Sequence, residues 1–248
     1  MKIIAFRTSK IRSGDNLYSI LDKYLPTLEK KNIVVITSKV ISLSQGRVVK
    51  NDGKIIKEDL VKKEAQYYLP EKYIKHGVHP TITNDVFIVS AGIDESNADG
   101  NFVLWPRNVM GQAQKIWEYL RRRNKIKNLG VVVTDSHLSP LRRGTTGFGI
   151  AWCGFEPLKN YIGKPDIFGR KLKLTKSNIV DGLAASAVLV IGEGSEQTPL
   201  AVIKDVLFVK FQNRPPSTEE IKEMRIPLED DVFSSLLTSV KWEKGQGK

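Results

Sequence analysis

Two apolar runs in this chain end in carboxylates flanked by small polar side chains, the pattern from which a hard cation could be held. In Val131-Val132-Val133-Thr134-Asp135-Ser136-His137 a β-branched strand stops at an acid and a hydroxyl. In Val86-Phe87-Ile88-Val89-Ser90-Ala91-Gly92-Ile93-Asp94-Glu95-Ser96-Asn97 a second run passes through Gly92 into another oxygen-rich loop. Oxygen donors at strand ends are what Mg²⁺ requires. Each stretch alone also reads as a strand closed by an Asx turn. Two strand-terminal aspartates in one chain, each beside a small polar residue, favour a shared divalent-metal site over two unrelated turns. The first run continues into Leu141-Arg142-Arg143-Gly144-Thr145-Thr146-Gly147-Phe148-Gly149. Paired guanidinium groups and close-approach glycines suit phosphate oxygens, although a solvated basic loop has the same composition. Metal and phosphate chemistry side by side is the combination of phosphoryl transfer, where catalysis is largely positioning and charge neutralisation.

A third segment adds an acid. A small-residue helix through Ala184-Ala185-Ser186-Ala187 runs to Gly192-Glu193-Gly194 and then to a strand at 200–204. Acids are disfavoured at the negative end of a helix dipole, so a nearby cation would help explain Glu193. The alternative is an ordinary acid in a helix-terminal loop. His137 follows the Asp-Ser pair and could serve as acid, base or ligand, or simply be an exposed loop histidine. Neither a Gly-x-x-x-x-Gly-Lys-Ser/Thr loop nor a His-Arg-Asp catalytic motif is present in the sequence. The two commonest phosphoryl-transfer designs are therefore excluded.

Positioning these groups requires strands expected near 2–6, 33–38, 86–90, 102–105, 131–134, 147–153, 171–175, 200–204 and 206–211. Helices are expected near 14–23, 57–68, 109–123, 155–161, 178–191, 217–223 and 229–237. Asp52-Gly53 marks a hairpin turn within 47–56. Helices and strands do not alternate in the strict rhythm of a doubly wound sheet, so the fold class is α+β. The stretch from Gln212 through Pro215-Pro216 is the one plausible linker, dividing a catalytic region, 1–211, from a C-terminal helical segment, 212–248.

The formal net charge of +12 attracts polyanions in general, nucleotides included. The basic residues are scattered; the one dense run, Arg121-Arg122-Arg123, ends a helical pattern where cations complement the dipole. No specific nucleic-acid partner is expected. No apolar run reaches the roughly 18 residues of a membrane span, and the first residues read as a strand rather than a leader. A single cysteine, Cys153, excludes an intramolecular disulfide and a cysteine zinc cluster. Together these point to a cytoplasmic protein without membrane contact.

Several ordered blocks carry a resemblance over nearly the whole chain. They are Gly14-Asp15-Asn16-Leu17, Thr37-Ser38-Lys39-Val40-Ile41-Ser42 with Gln45-Gly46-Arg47, the 91–97 loop, Thr134-Asp135-Ser136 with Arg142-Arg143-Gly144, Tyr161-Ile162-Gly163-Lys164-Pro165-Asp166-Ile167-Phe168-Gly169-Arg170, and Gly192-Glu193-Gly194. In these the chain resembles the coenzyme F420-0:γ-glutamyl ligases, most closely a branch described as folate-metabolism γ-glutamate ligases. The resemblance implies a two-domain α+β protein with mixed and antiparallel sheets, an intertwined homodimer. It implies GTP- or ATP-dependent phosphorylation of an acceptor carboxylate, then attack on the acyl phosphate by the amine of L-glutamate. Mg²⁺ or Mn²⁺ would be held by Asp94, Asp135, Ser136 and Glu193, with Ser136 standing where the family commonly has threonine. Ser38, Lys39, Asn97 and Gly194 would contact the nucleotide, together with the less well matched loop at Thr8-Ser9-Lys10-Ile11. Arg142 and Arg143, with His137, are the candidate catalytic groups, either arginine meeting phosphate or the glutamate carboxylate.

The F420 ligases usually carry lysine at the place of Leu43 and a Gly-Arg pair where this chain has Leu138-Ser139. Two cations are thus missing from the matched region, which places a folate-type acceptor slightly ahead of F420-0 itself. Trp105 or Trp152 could supply stacking area for a flat ring. The contrasting class is a nucleotide- or RNA-binding module without catalysis; the retained Asp94, Asp135 and Glu193 argue against it.

Overall fold

Asn32-Ile33-Val34-Val35-Ile36 and Leu129-Gly130-Val131-Val132-Val133 are apolar on both faces, as central strands covered on two sides must be. The computed structural model describes residues 1–247. In chain order, β1 (Lys2–Phe6), α1 (Leu17–Tyr24), β2 (Asn32–Thr37), α2 (Ser38–Ser44), β3 (Val48–Val49), α3 (Lys57–Glu64) and β4 (Tyr67–Tyr68) come first. They are followed by β5 (Pro80–Thr83), β6 (Val86–Val89), β7 (Phe102–Val103), α4 (Val109–Asn124), β8 (Leu129–Leu138) and β9 (Thr145–Cys153). The rest comprises β10 (Leu158–Asn160), β11 (Lys176–Asn178), α5 (Ile179–Ile191), β12 (Leu200–Lys204), α6 (Thr218–Glu223), α7 (Ser234–Leu237) and β13 (Glu243–Lys244).

The main sheet has the order β1-β12-β2-β8-β9, with β2 and β8 parallel and every other pair antiparallel. Period-two alternation divides its side chains between two cores. Val34, Ile36, Val131 and Val133 face α1, α2 and α4, meeting Leu21, Ile41, Ile116 and Leu120. Ile33, Val35 and Val132 face α5, meeting Val180, Leu183 and Ala187. A second, antiparallel sheet has the order β13-β4-β5-β6. Ile88, Trp105 and Phe148 pack together where this sheet meets β9. The architecture is α+β.

Several expectations are corrected. Residues 47–56 do not form a hairpin; Val48 and Val49 instead pair with Val103 and Phe102. Residues 155–161 are not helical, because Phe155 is fully buried beneath the sheet and the chain runs on into β10. The strand expected at 171–175 lies at 176–178, and 206–211 contributes only an isolated bridge between Phe211 and Phe155. Helix α3 stops at Glu64, and Tyr67-Tyr68 turn into the second sheet. The segment after Gln212 is not only helical, since its end pairs with β4.

That segment is fastened by Glu220. Its carboxylate accepts from Arg214 Nη1 at 2.6 Å and from the Ser217 backbone N–H at 2.8 Å, closing a capping box at the start of α6. The Arg214 guanidinium foremost holds this carboxyl down at about 2. A carboxyl depressed by folding stabilises above its ordinary range, and that stability disappears as pH falls towards 2. Glu220→Gln is expected to cost about 1 kcal/mol at neutral pH and to match the parent near pH 2. Urea unfolding at the two pH values reads the difference.

Candidate active site

The β2–α2 junction, the loop after β6, the middle of β8 and the loop after α5 meet around one cavity of about 660 Å³. Asp94, Asp135, Ser136 and Glu193 line it, as do Ile11, Ser38, Lys39, Asn97 and Gly194. Their separation in sequence is closed by the topology. The parallel register of β2 and β8 sets Thr37 opposite Thr134, so α2 begins with Ser38 beside the strand that continues into Asp135.

Asp135 is the most deeply set acid. It accepts a hydrogen bond from the Ser136 backbone N–H at 2.8 Å and another from the Trp105 indole N–H. Burial pushes its carboxyl up to about 6, against the pull of these donors. Such a group gains from a cation brought next to it. Asp94 is differently placed. Burial would raise its carboxyl, but the Lys39 ammonium 2.6 Å away and the Ser96 N–H at 2.7 Å outweigh burial and hold it below the usual range. Lys39 therefore pairs with an acid at the cavity wall, rather than standing as a free cation.

Glu193 follows Gly192, the C-cap of α5, whose φ of 83° turns the chain out of the helix. Its Oε1 accepts from Ser136 Oγ at 2.7 Å and from Thr145 Oγ1 at 3.2 Å. Asn97 Nδ2 donates to the Gly194 carbonyl at 2.8 Å, joining the two loops across the cavity. Thr145 escapes a reading of the sequence because only the pairing of β8 with β9 brings it here. Lys10 and Arg12 also line the cavity and supply positive charge near these acids. The resemblance pointed to Lys10 only within the loop Thr8-Ser9-Lys10-Ile11, and Arg12 was not singled out in the sequence.

Three candidates are not brought in. Arg142 and Arg143 lie in the exposed turn between β8 and β9, outside the cavity lining. From Asp135 the strand runs on to Leu138, carrying the turn about 10 Å further at the rise of an extended chain. His137 does not line the cavity either; its ring packs on Phe148 with centroids 4.8 Å apart. Leu138 and Ser139 share the hairpin end, whereas Leu43 does line the cavity.

Among the described residues no three His, Cys, Asp or Glu side chains converge tightly enough to enclose a metal ion. Mg²⁺ does not need such a cage, because it keeps several waters and binds through one or two carboxylates plus phosphate oxygens. The oxygen-only donor set, with half-buried Asp135 next to the Ser136–Glu193 pair, fits that mode.

A family model described as F420-0:γ-glutamyl ligase matches residues 5–205. The chain belongs to this family. A Methanosarcina barkeri relative named coenzyme F420:L-glutamate ligase is 31% identical over 234 residues, covering 86% of this chain and 91% of its own. Similarly named relatives from Halorubrum lacusprofundi and Methanosarcina mazei are 32% and 28% identical over 216 and 249 residues. They cover 79% and 90% of this chain, and 83% and 96% of their own lengths. The family and these relatives are ligases that form γ-glutamyl amide bonds, so the cavity belongs to a ligase fold. No helix among the described residues is long and apolar enough to cross a membrane.

Proposed function

We propose that the chain is a nucleotide-dependent γ-glutamyl ligase that activates an acceptor carboxylate as an acyl phosphate and joins it to the amine of L-glutamate. The observation that carries this is the convergence of Asp94, Asp135 and Glu193 from three separate elements on one cavity that also holds Lys10, Arg12 and Lys39. Acids alone would repel a nucleotide, and cations alone would give binding without a place for a metal. A divalent ion bound beside Asp135 and Glu193 would offset charge on the transferring phosphoryl group. The chain's own residues do the rest. Lys10 and Arg12 attract the phosphates, Ser136 orients Glu193 through its hydroxyl, and Lys39 keeps Asp94 ionised. GTP and ATP both suit this reading.

The relatives' names move the preferred acceptor towards F420-0, ahead of a folate. Of the two sequence departures that favoured folate, Leu138-Ser139 lies at the hairpin end and not in the cavity. One observation keeps a pterin-type glutamate conjugate as the second reading: the cavity wall at Leu43 is apolar and adds no positive charge for an acceptor phosphodiester, while only an edge of the buried Trp105 ring reaches the cavity. A homodimer is part of the same reading, supported by the exposed apolar Leu141, Ile167, Phe168 and Leu189. Offering F420-0 and mono- and polyglutamyl folates with L-glutamate, nucleotide and Mg²⁺ or Mn²⁺ tests the assignment. The mass of one glutamyl residue added to F420-0 is expected; addition to folates alone would select the second reading, and addition to none would reject both.

A further inference from the structure

Trp105 has a place in the site that no family resemblance supplied. Its ring sits at the seam of the two sheets between Ile88 and Phe148, is 5% exposed, and lines the cavity. Three features hold it there. Its carbonyl accepts from Arg47 Nε at 3.0 Å, and Arg47 is itself paired with Glu64. The chain at 90–92 turns through three positive φ values, 51°, 53° and 70°, and the Ala91 N–H is anchored on Thr81 Oγ1 at 3.0 Å. Gly92, the last of the three, lies against the indole so closely that a Cβ there would overlap the ring. The indole N–H then reaches Asp135 Oδ2, while Oδ1 takes the Ser136 N–H. A carboxylate has about four acceptor positions, so both oxygens are fixed in direction with capacity left on each.

We propose that Trp105 is a positioning residue for Asp135, its indole N–H fixing the carboxylate so that the free lone pairs face the cavity. The inference rests on the reading of Asp135 as a cation-binding group. The strained turn and the bare Gly92 are the means by which the fold admits a large ring at this point, since two non-glycine residues there hold backbone angles that cost energy. Phenylalanine would fill most of the same space without the donor.

The test uses the full chain in four forms: parent, Trp105→Phe, Asp135→Asn, and a protein carrying at position 105 alone the tryptophan analogue with sulfur in place of the ring N–H. Free Mn²⁺ is followed by electron paramagnetic resonance during titration, and kcat and KM for L-glutamate are measured separately. Both position-105 forms are expected to bind Mn²⁺ about tenfold more weakly, the scale of one hydrogen bond to a charged group. They should lower kcat while leaving KM for L-glutamate unchanged. The sulfur analogue keeps the ring's shape, so it reads the donor even where Trp105→Phe folds poorly. Parent-like Mn²⁺ affinity in the analogue, with affinity lost in Asp135→Asn, would overturn the positioning role and leave the metal reading intact. Parent-like affinity in Asp135→Asn would overturn the metal reading and this inference with it.

Discussion

Asp135→Asn is expected to reduce ligation at least about a thousandfold, the scale of losing one electrostatic group in a water-excluded site, while the protein stays folded. The substitution keeps size and shape. It leaves an oxygen for the Trp105 N–H but sets its amide group against the Ser136 N–H that Oδ1 accepted, while removing a charge that burial already disfavours. The two effects offset, so unfolding free energy should fall by no more than about 2 kcal/mol. Loss of activity with retained fold distinguishes a chemical role from a structural one. Asp94→Asn should also impair turnover, but through a different route, because it frees Lys39 from its partner. If both acids serve one metal–phosphate unit, the double variant should be little worse than Asp135→Asn alone. Steady-state rates alongside urea unfolding check this; an active Asp135→Asn protein at saturating metal contradicts it.

Gly149→Ala is expected to damage the fold that frames the site in a way that a second substitution can relieve. A Cβ on Gly149 would run into Val180 on α5, and the same strand repeats the arrangement at Gly147 against Val188. These bare positions let α5 lie directly on β9, and the C-terminal end of α5 is what presents Glu193 to Ser136. Overpacking there should cost about 2 kcal/mol and lower ligation by displacing Glu193. Relief is specific. At Gly149 the overlap is with a Val180 Cγ, and the remaining neighbours are at ordinary distance, so Val180→Ala should restore most of the stability in the double variant. At Gly147 the Ala184 carbonyl is also close, so Val188→Ala should restore less. Thermal unfolding of the singles and doubles reads both effects.

The apolar centres of the central strands and the end of helix α5 were legible in the sequence because their physics is local. A β-branched run such as Val131-Val132-Val133, or a small-residue helix that stops at Gly192, announces itself within a dozen residues. The strand expected to end at Asp135 instead stays paired with β9 as far as Leu138. What was hidden depended on register and reach. Arg142 and Arg143 stand near Asp135 in sequence, yet an extended hairpin carries them away, so adjacency along the chain was a poor guide. Helix α2 is not expected from the sequence, whose strand at 33–38 overlaps it only at Ser38; the parallel pairing of β2 with β8 ends at Thr37 and frees the backbone to coil. The pairing of Val48-Val49 with Phe102-Val103 overrode a good Asp-Gly turn signal, since partners distant in sequence gave those strands a buried face. Trp105 could be named as a stacking surface from its type alone, but its bond to Asp135 needed the bare Gly92 opposite.

The account stands most directly on coupling between nucleotide hydrolysis and amide formation. Purified protein would be given L-glutamate, F420-0, GTP or ATP, and Mg²⁺ or Mn²⁺, with released nucleoside diphosphate and γ-glutamyl product measured together. The expected result is about one diphosphate per amide bond, with both products absent when acceptor, nucleotide or metal is left out. Amide formation that proceeds without nucleotide, or hydrolysis that runs at full rate with no acceptor and yields no γ-glutamyl product, would contradict it.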